Sequence, residues 1–346
     1  MIHGHGDDAY KYNKPIVADF SSNVWFEGPS TNLLKHLQDQ LHKVDHYPEP
    51  GGETLQRKVA DYHNLEFKNC LITNGSVETF YLIALACRKH KSTIVTPCFS
   101  EYEDACQIHD HEIQFVKNTD QWKEQIYGSQ VVWFGNPNNP DGNVIGPEVL
   151  ERLLEEHPET VFVVDEAYGE LCTGFQSAVS LLPEYQNLLI VRSFTKNFAI
   201  PGLRLGYVLG EKSLIEKLHK LKMPWTVNSI AMEAGRFIME HYDELMPDKY
   251  KVKAASEAFH RQLKTLEDSL TIIPSHCNYC LIKLNGFYSG KLKQYLVEEY
   301  GILIRDASNF RGLDEQYIRV AVQKPKQNSL LTEGLKNGIK WLSNNG

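Results

Sequence analysis

The sequence predicts an α/β protein with a mostly parallel sheet, followed by a smaller α+β unit. Up to about residue 228, short apolar runs alternate with longer helical patterns, as in βαβ architectures. Several of these runs are apolar along their whole length, as in strands covered on both faces. Beyond residue 228 the pattern changes to a long helical stretch and a few shorter strand candidates. A chain of 346 residues has room for two such units.

Six runs read as strands of the first unit: CLITNG (70–75), STIVTP (92–97), QVVWFGNP (130–137), TVFVVDEAY (160–168), NLLIVRSF (187–194) and LRLGYVLG (203–210). Segments 76–90, 100–110, 146–156 and 211–222 read as the helices between them. The stretch 228–269 reads as helix broken at Pro247, and since nothing resembles a flexible linker the two units are expected to share a long helix. TIIPS (271–275), NYCLIKL (278–284), ILIR (302–305) and EQYIRVAV (315–322) read as short strands, with helices over 290–300 and 327–343. The expected division is an N-terminal arm (1–28), a large domain (29–228) and a small domain (229–346).

With 36 basic and 44 acidic residues the net charge is −8, which argues against a broad nucleic-acid surface. No apolar stretch is long enough to span a membrane, and the N-terminus lacks the apolar core of a signal peptide. The seven cysteines are odd in number and scattered, which fits reduced thiols in a cytoplasm. Cys277 and Cys280 form a lone C-x-x-C with no second ligand pair, so they read as strand residues and no metal site is expected.

The carboxyl ends of the predicted strands carry the polar residues, where open α/β sheets bind their ligands. Gly75 allows a tight turn before a helix, so the amides of Ser76 and Val77 would form an anion site at its N-terminus. NPNNPDG (136–142) is a dense turn cluster whose asparagine amides could donate to a ligand. Asp165 ends an apolar strand, where a carboxylate is costly unless something pairs with it. Lys196 sits in an apolar setting between hydroxyls, which suits a nucleophilic amine. Arg204 adds a positive fork suited to phosphate.

The ordered set NGSVE, FSEY, NPNNPDG, DEAY and SFTK–GLRLGY resembles the fold type I superfamily of pyridoxal-phosphate aminotransferases over essentially the full chain. The similarity is greatest to the branch containing histidinol-phosphate aminotransferases and threonine-phosphate decarboxylases. It implies a large domain with a mostly parallel seven-stranded sheet between helices. It also implies pyridoxal 5′-phosphate held covalently by Lys196. Asp165 would pair with the ring nitrogen, Tyr168 and Asn139 would donate to the phenolate, and Phe99 would stack on the ring. Gly75, Ser76, Val77, Ser193, Thr195 and Arg204 would cradle the phosphate. Tyr47, in HYPEPGG, would reach the phosphate of a neighbouring subunit, which implies a homodimer. Arg319 and Asn23 would hold the substrate carboxylate. One departure from the family pattern is Asp141, where threonine is usual in the turn.

Further segments resemble the decarboxylases. HGHG (3–6) places His3 where that group contacts substrate phosphate, although His5 replaces the second glycine of its motif. Arg305 and Arg319 are 14 residues apart, the spacing of its two substrate-binding arginines. Two cations on neighbouring strands suit a short substrate bearing both a carboxylate and a phosphate. The implied activity is decarboxylation of L-threonine O-3-phosphate to (R)-1-amino-2-propanol phosphate in cobalamin biosynthesis. The alternatives are a histidinol-phosphate:2-oxoglutarate aminotransferase and a non-catalytic protein built on the same fold.

Overall fold

The computed structural model describes residues 6–119, 121–266 and 268–345. Its strands, in chain order, are β1 (Ala18–Asp19), β2 (Cys70–Thr73), β3 (Lys91–Thr96), β4 (Glu112–Lys117), β5 (Val131–Gly135), β6 (Val161–Asp165), β7 (Leu188–Ser193), β8 (Gly206–Gly210), β9 (Leu270–Ile272), β10 (Tyr279–Leu284), β11 (Ile302–Leu303), β12 (Arg305–Asp306) and β13 (Tyr317–Ala321).

Seven of them form the larger sheet, in the order β2-β8-β7-β6-β5-β3-β4. Only β8 runs against the others, pairing antiparallel with both β2 and β7. The fully apolar runs are explained by cover on both faces. In β7, Leu188 and Ile190 enter one apolar core while Leu189 and Val191 enter another. The seventh strand is β4, at the sheet edge. Only Val116 of its six residues is buried, so it carries no continuous apolar signal.

Four strands form the smaller sheet, in the order β12-β13-β10-β9. Its core takes Phe259 and Leu263 from the helix Lys249–Lys264 and Leu331 and Leu335 from the helix Pro325–Asn345. The N-terminal arm joins this unit. β1 pairs in parallel with β11, and Ala18 and Phe20 enter the small core. Cys277 and Cys280 are both fully buried, Cys280 within β10.

The expected shared long helix is corrected by the structure. The helix Ser229–Glu240 ends, a short helix Tyr242–Leu245 follows, and Lys249–Lys264 starts afresh. Pro247 cannot supply a helical N–H, and the Asp248 carboxylate caps the restart by accepting from Tyr250 N at 2.7 Å. The two helices also serve different cores. Ala231, Met232, Ala234 and Ile238 pack under the larger sheet, so that core extends past residue 228. No helix among the described residues is long and apolar enough to cross a membrane.

Candidate active site

The segments that follow the carboxyl ends of β3, β5, β6 and β7 converge, together with the smaller sheet and the N-terminal arm, on a cleft of about 350 Å³. Its lining brings together Asn23, Val77, Phe99, Asn139, Tyr168, Lys196, Arg204, Arg305 and Arg319. These nine positions span nearly the whole chain, and only the folded topology makes them neighbours.

Asp165 closes β6 and is 6 % exposed. Its Oδ2 accepts from the Tyr102 hydroxyl at 2.7 Å, and its Oδ1 accepts from Ala167 N at 3.0 Å. Burial pushes this carboxyl up to about 6, while the Tyr102 hydroxyl, the Ala167 amide and the Lys196 charge pull the other way. Lys196 lies over the Tyr168 ring, its Nζ 5.7 Å from the centroid, and Tyr279 packs edge-on behind that ring at 5.0 Å.

Gly75, with φ +75°, begins the helix Gly75–Ala86, whose first turn includes the amides of Ser76 and Val77. A Cβ at Gly75 would come within 2.6 Å of Arg204 Nη2, and one at Gly206 within 2.8 Å of Ser76 N. Two glycines thus let a helix N-terminus, an arginine and the β7–β8 turn approach each other. Ser193 and Thr195 are buried beside this point, their hydroxyls 2.8 Å apart. The result is a concave set of N–H, O–H and guanidinium donors, the chemistry of a phosphate site.

Arg305 and Arg319 are direct cross-strand partners on β12 and β13. Both are buried, at 7 % and 5 % exposure. Like charges placed opposite each other on a sheet oppose folding. Arg305 donates to Asp306 O and to Asn309 Oδ1, each at 2.7 Å. Burial and the neighbouring Arg319 pull its guanidinium down to about 10. Arg319 donates to Ser21 O at 2.6 Å and to Asn139 Oδ1, which leaves the Asn139 amide nitrogen as the donor of that side chain. Arg319 Nε and both polar atoms of the Asn23 side chain are buried without a partner among the described residues.

Seven expected site residues are not in this lining: Asp165, Gly75, Ser76, Ser193 and Thr195, whose contacts are given above, and Tyr47 and His3. Tyr47 is on the surface, 86 % exposed, with its ring 5.4 Å from that of Trp225. His3 lies outside the described residues, although Gly6 and Asp7 of the same arm line the cleft. The departure at Asp141 leaves the turn intact. Its Oδ1 accepts from Asn143 N at 3.0 Å and from Asn138 Nδ2 at 2.9 Å.

Sequence reasoning missed Tyr102, Asn309 and Phe310. Tyr102 lies one helical turn after Phe99 in FSEY, and that spacing is the signal that could have found it. Asn309 and Phe310 stand in the segment GILIRDASNFRGLDEQYIRVAV, which resembles the decarboxylases but from which only the two arginines were assigned a role.

Residues 15–335 match the family described as "Aminotransferase class I and II". The crystal structure of L-threonine-O-3-phosphate decarboxylase from Porphyromonas gingivalis is 37% identical with a TM-score of 0.90, over 94% of this chain and 100% of that one. A histidinol-phosphate aminotransferase of Methanothermobacter thermautotrophicus is 29% identical over 91% of this chain and 87% of its own length. A histidinol-phosphate aminotransferase from Sinorhizobium meliloti, solved in complex with pyridoxal-5′-phosphate, has the same fold at a TM-score of 0.86, with 19% identity over 99% of this chain and 96% of that one.

Proposed function

Because the chain belongs to the class I and II aminotransferase family and has its fold type I architecture, we propose that its cleft holds pyridoxal 5′-phosphate and decarboxylates L-threonine O-3-phosphate. The products are carbon dioxide and (R)-1-amino-2-propanol phosphate, which would serve cobalamin biosynthesis.

The residues fit the cofactor. Gly75 and Gly206 leave room that a Cβ would fill, beside donors suited to a phosphate. Asp165 is a buried carboxylate that suits a protonated ring nitrogen. The bound cofactor supplies an electron sink for the bond broken at the substrate α-carbon.

The chain's own groups then have distinct roles. Lys196 would supply the amine that holds the cofactor and, once carbon dioxide has left, the proton that takes its place on the α-carbon. Asp165 would keep the ring nitrogen protonated. Phe99 would pack on the ring, while Tyr168 and Asn139 would donate to its oxygen. Ser76, Val77, Ser193, Thr195 and Arg204 hold the cofactor phosphate. Arg319 and Asn23 hold the substrate carboxylate, and Arg305 holds the substrate phosphate.

The observation that carries the choice of reaction is the direct opposition of Arg305 and Arg319. Two buried cations on adjacent strands suit a short dianionic substrate gripped at both ends. The greater identity to the P. gingivalis decarboxylase than to the M. thermautotrophicus aminotransferase supports the same choice. The test incubates the cofactor-loaded protein with L-threonine O-3-phosphate and, separately, with histidinol phosphate plus 2-oxoglutarate. Carbon dioxide release in the first supports the decarboxylase. Glutamate formation in the second, without carbon dioxide in the first, replaces it with the aminotransferase.

A further inference from the structure

We propose that Arg311 is a positioning residue. Its ion pair with Glu103 clasps the loop after β12 against the larger unit and thereby sets the place of Asn309 and Arg305 in the substrate-anion site. This rests on the reading of Arg305 given above.

Glu103 stands on the helix Glu101–Ile108 of the larger unit and is 7 % exposed. Arg311 belongs to the loop 307–313 of the small unit. Its Nε donates to Glu103 Oε2 at 2.7 Å and its Nη2 to Glu103 Oε1, a two-pronged grip. The same guanidinium lies 4.0 Å from the centroid of the Phe115 ring on β4. One side chain on the small unit thus engages two elements of the large one.

Beside this ion pair, loop residues 308–313 and Cys98, Ser100 and Glu103 together line a pocket of about 250 Å³. On its other side the loop faces the substrate cleft, through Asn309 and Phe310. Asn309 Oδ1 receives a hydrogen bond from Arg305, whose guanidinium also lies 5.1 Å from the Phe310 ring centroid. A path of direct contacts therefore runs from Glu103 through Arg311 and the loop to Arg305. Loosening its outer end frees Asn309 to shift and leaves Arg305 less well aimed.

The test compares cofactor-loaded wild type, Arg311→Met, Glu103→Gln and the double variant. It reads KM and kcat for L-threonine O-3-phosphate, the affinity for inorganic phosphate by titration calorimetry, and cofactor retention on dilution. Each single variant should weaken phosphate affinity and raise KM by about tenfold. The turnover number should stay within about twofold, because Arg305 itself remains in the site with its bond to Asp306 O intact. The double variant should be no worse than either single one, as two partners in one contact require. Unchanged phosphate affinity in both single variants overturns the clasp, as do additive losses or a fall in cofactor retention with KM unchanged. Should wild type release no carbon dioxide, the substrate reading fails, and the inorganic phosphate comparison still decides the clasp.

Discussion

The Tyr102 hydroxyl donates to Asp165 Oδ2 at 2.7 Å, with Tyr102 2 % and Asp165 6 % exposed. A neutral donor on a buried carboxylate favours its charged form without adding a cation that would compete with the cofactor ring. Tyr102→Phe removes that donor and pushes the Asp165 carboxyl further up. Cofactor affinity should fall about tenfold near neutral pH, with a greater loss toward acid. Absorbance of the retained cofactor after dialysis across pH 5 to 8 measures this. A loss that is equal at every pH would show that Tyr102 is only a packing residue.

Asp165 itself links pH to stability. Its folded carboxyl is at about 6, against about 3.9 in an unfolded chain. Between those values the folded state holds a proton that the unfolded state has released, so cofactor-free stability falls as pH rises through this window. Above it, the buried charge costs up to about 3 kcal/mol. Asp165→Asn should raise the Tm of the cofactor-free protein at pH 7.5, lose that gain near pH 4, and bind cofactor poorly. A lower Tm at pH 7.5 would mean that the carboxylate is compensated within the cofactor-free protein.

Arg305→Met should lower kcat/KM for L-threonine O-3-phosphate by about 10- to 150-fold, the loss of one charge-assisted contact. It should also change the reaction. With the phosphate end unanchored, the α-carboxylate is no longer fixed in the orientation for cleavage, and transamination should rise relative to carbon dioxide release. Equal product ratios in variant and wild type would remove Arg305 from the control of reaction choice.

Tyr47 lies on the surface beside Trp225, outside the cleft of its own chain. We propose that it completes the site of a second copy, so that two damaged chains would repair each other. Mixing Tyr47→Phe with Lys196→Ala, unfolding and refolding together, should restore about a quarter of wild-type activity, because half the pairs are mixed and each has one intact site. A sedimentation mass of one chain at micromolar concentration would exclude this arrangement.

The strand ends were legible because polar residues there interrupt long apolar runs. Lys196, Asp165, Asn139 and Gly75 all stand at such breaks, and the cleft lies where they meet. The 14-residue spacing of Arg305 and Arg319 hinted at neighbouring strands, while their direct opposition is a matter of register that spacing does not fix. β4 was not singled out because an edge strand needs few apolar residues. Tyr102 and Arg311 were passed over for a common reason. Each acts through another side chain, Asp165 or Glu103, that lies 63 or 208 residues away in sequence.

The reversed strand β8 also sets an order of events during synthesis. Arg204 reaches the first turn of the helix Gly75–Ala86 only because β8 lies between β2 and β7, with Thr73 and Ser193 both paired to Gly206. A growing chain therefore cannot form the cofactor's phosphate cradle until Gly210 has left the ribosome. The arm that carries Ala18 waits longer, since its strand partner is Ile302, and Arg319 follows later still. Domains fold as units, the N-terminal one first, as the chain emerges. A nascent polypeptide stalled between these two points would be able to capture the cofactor before it had anywhere to place a substrate.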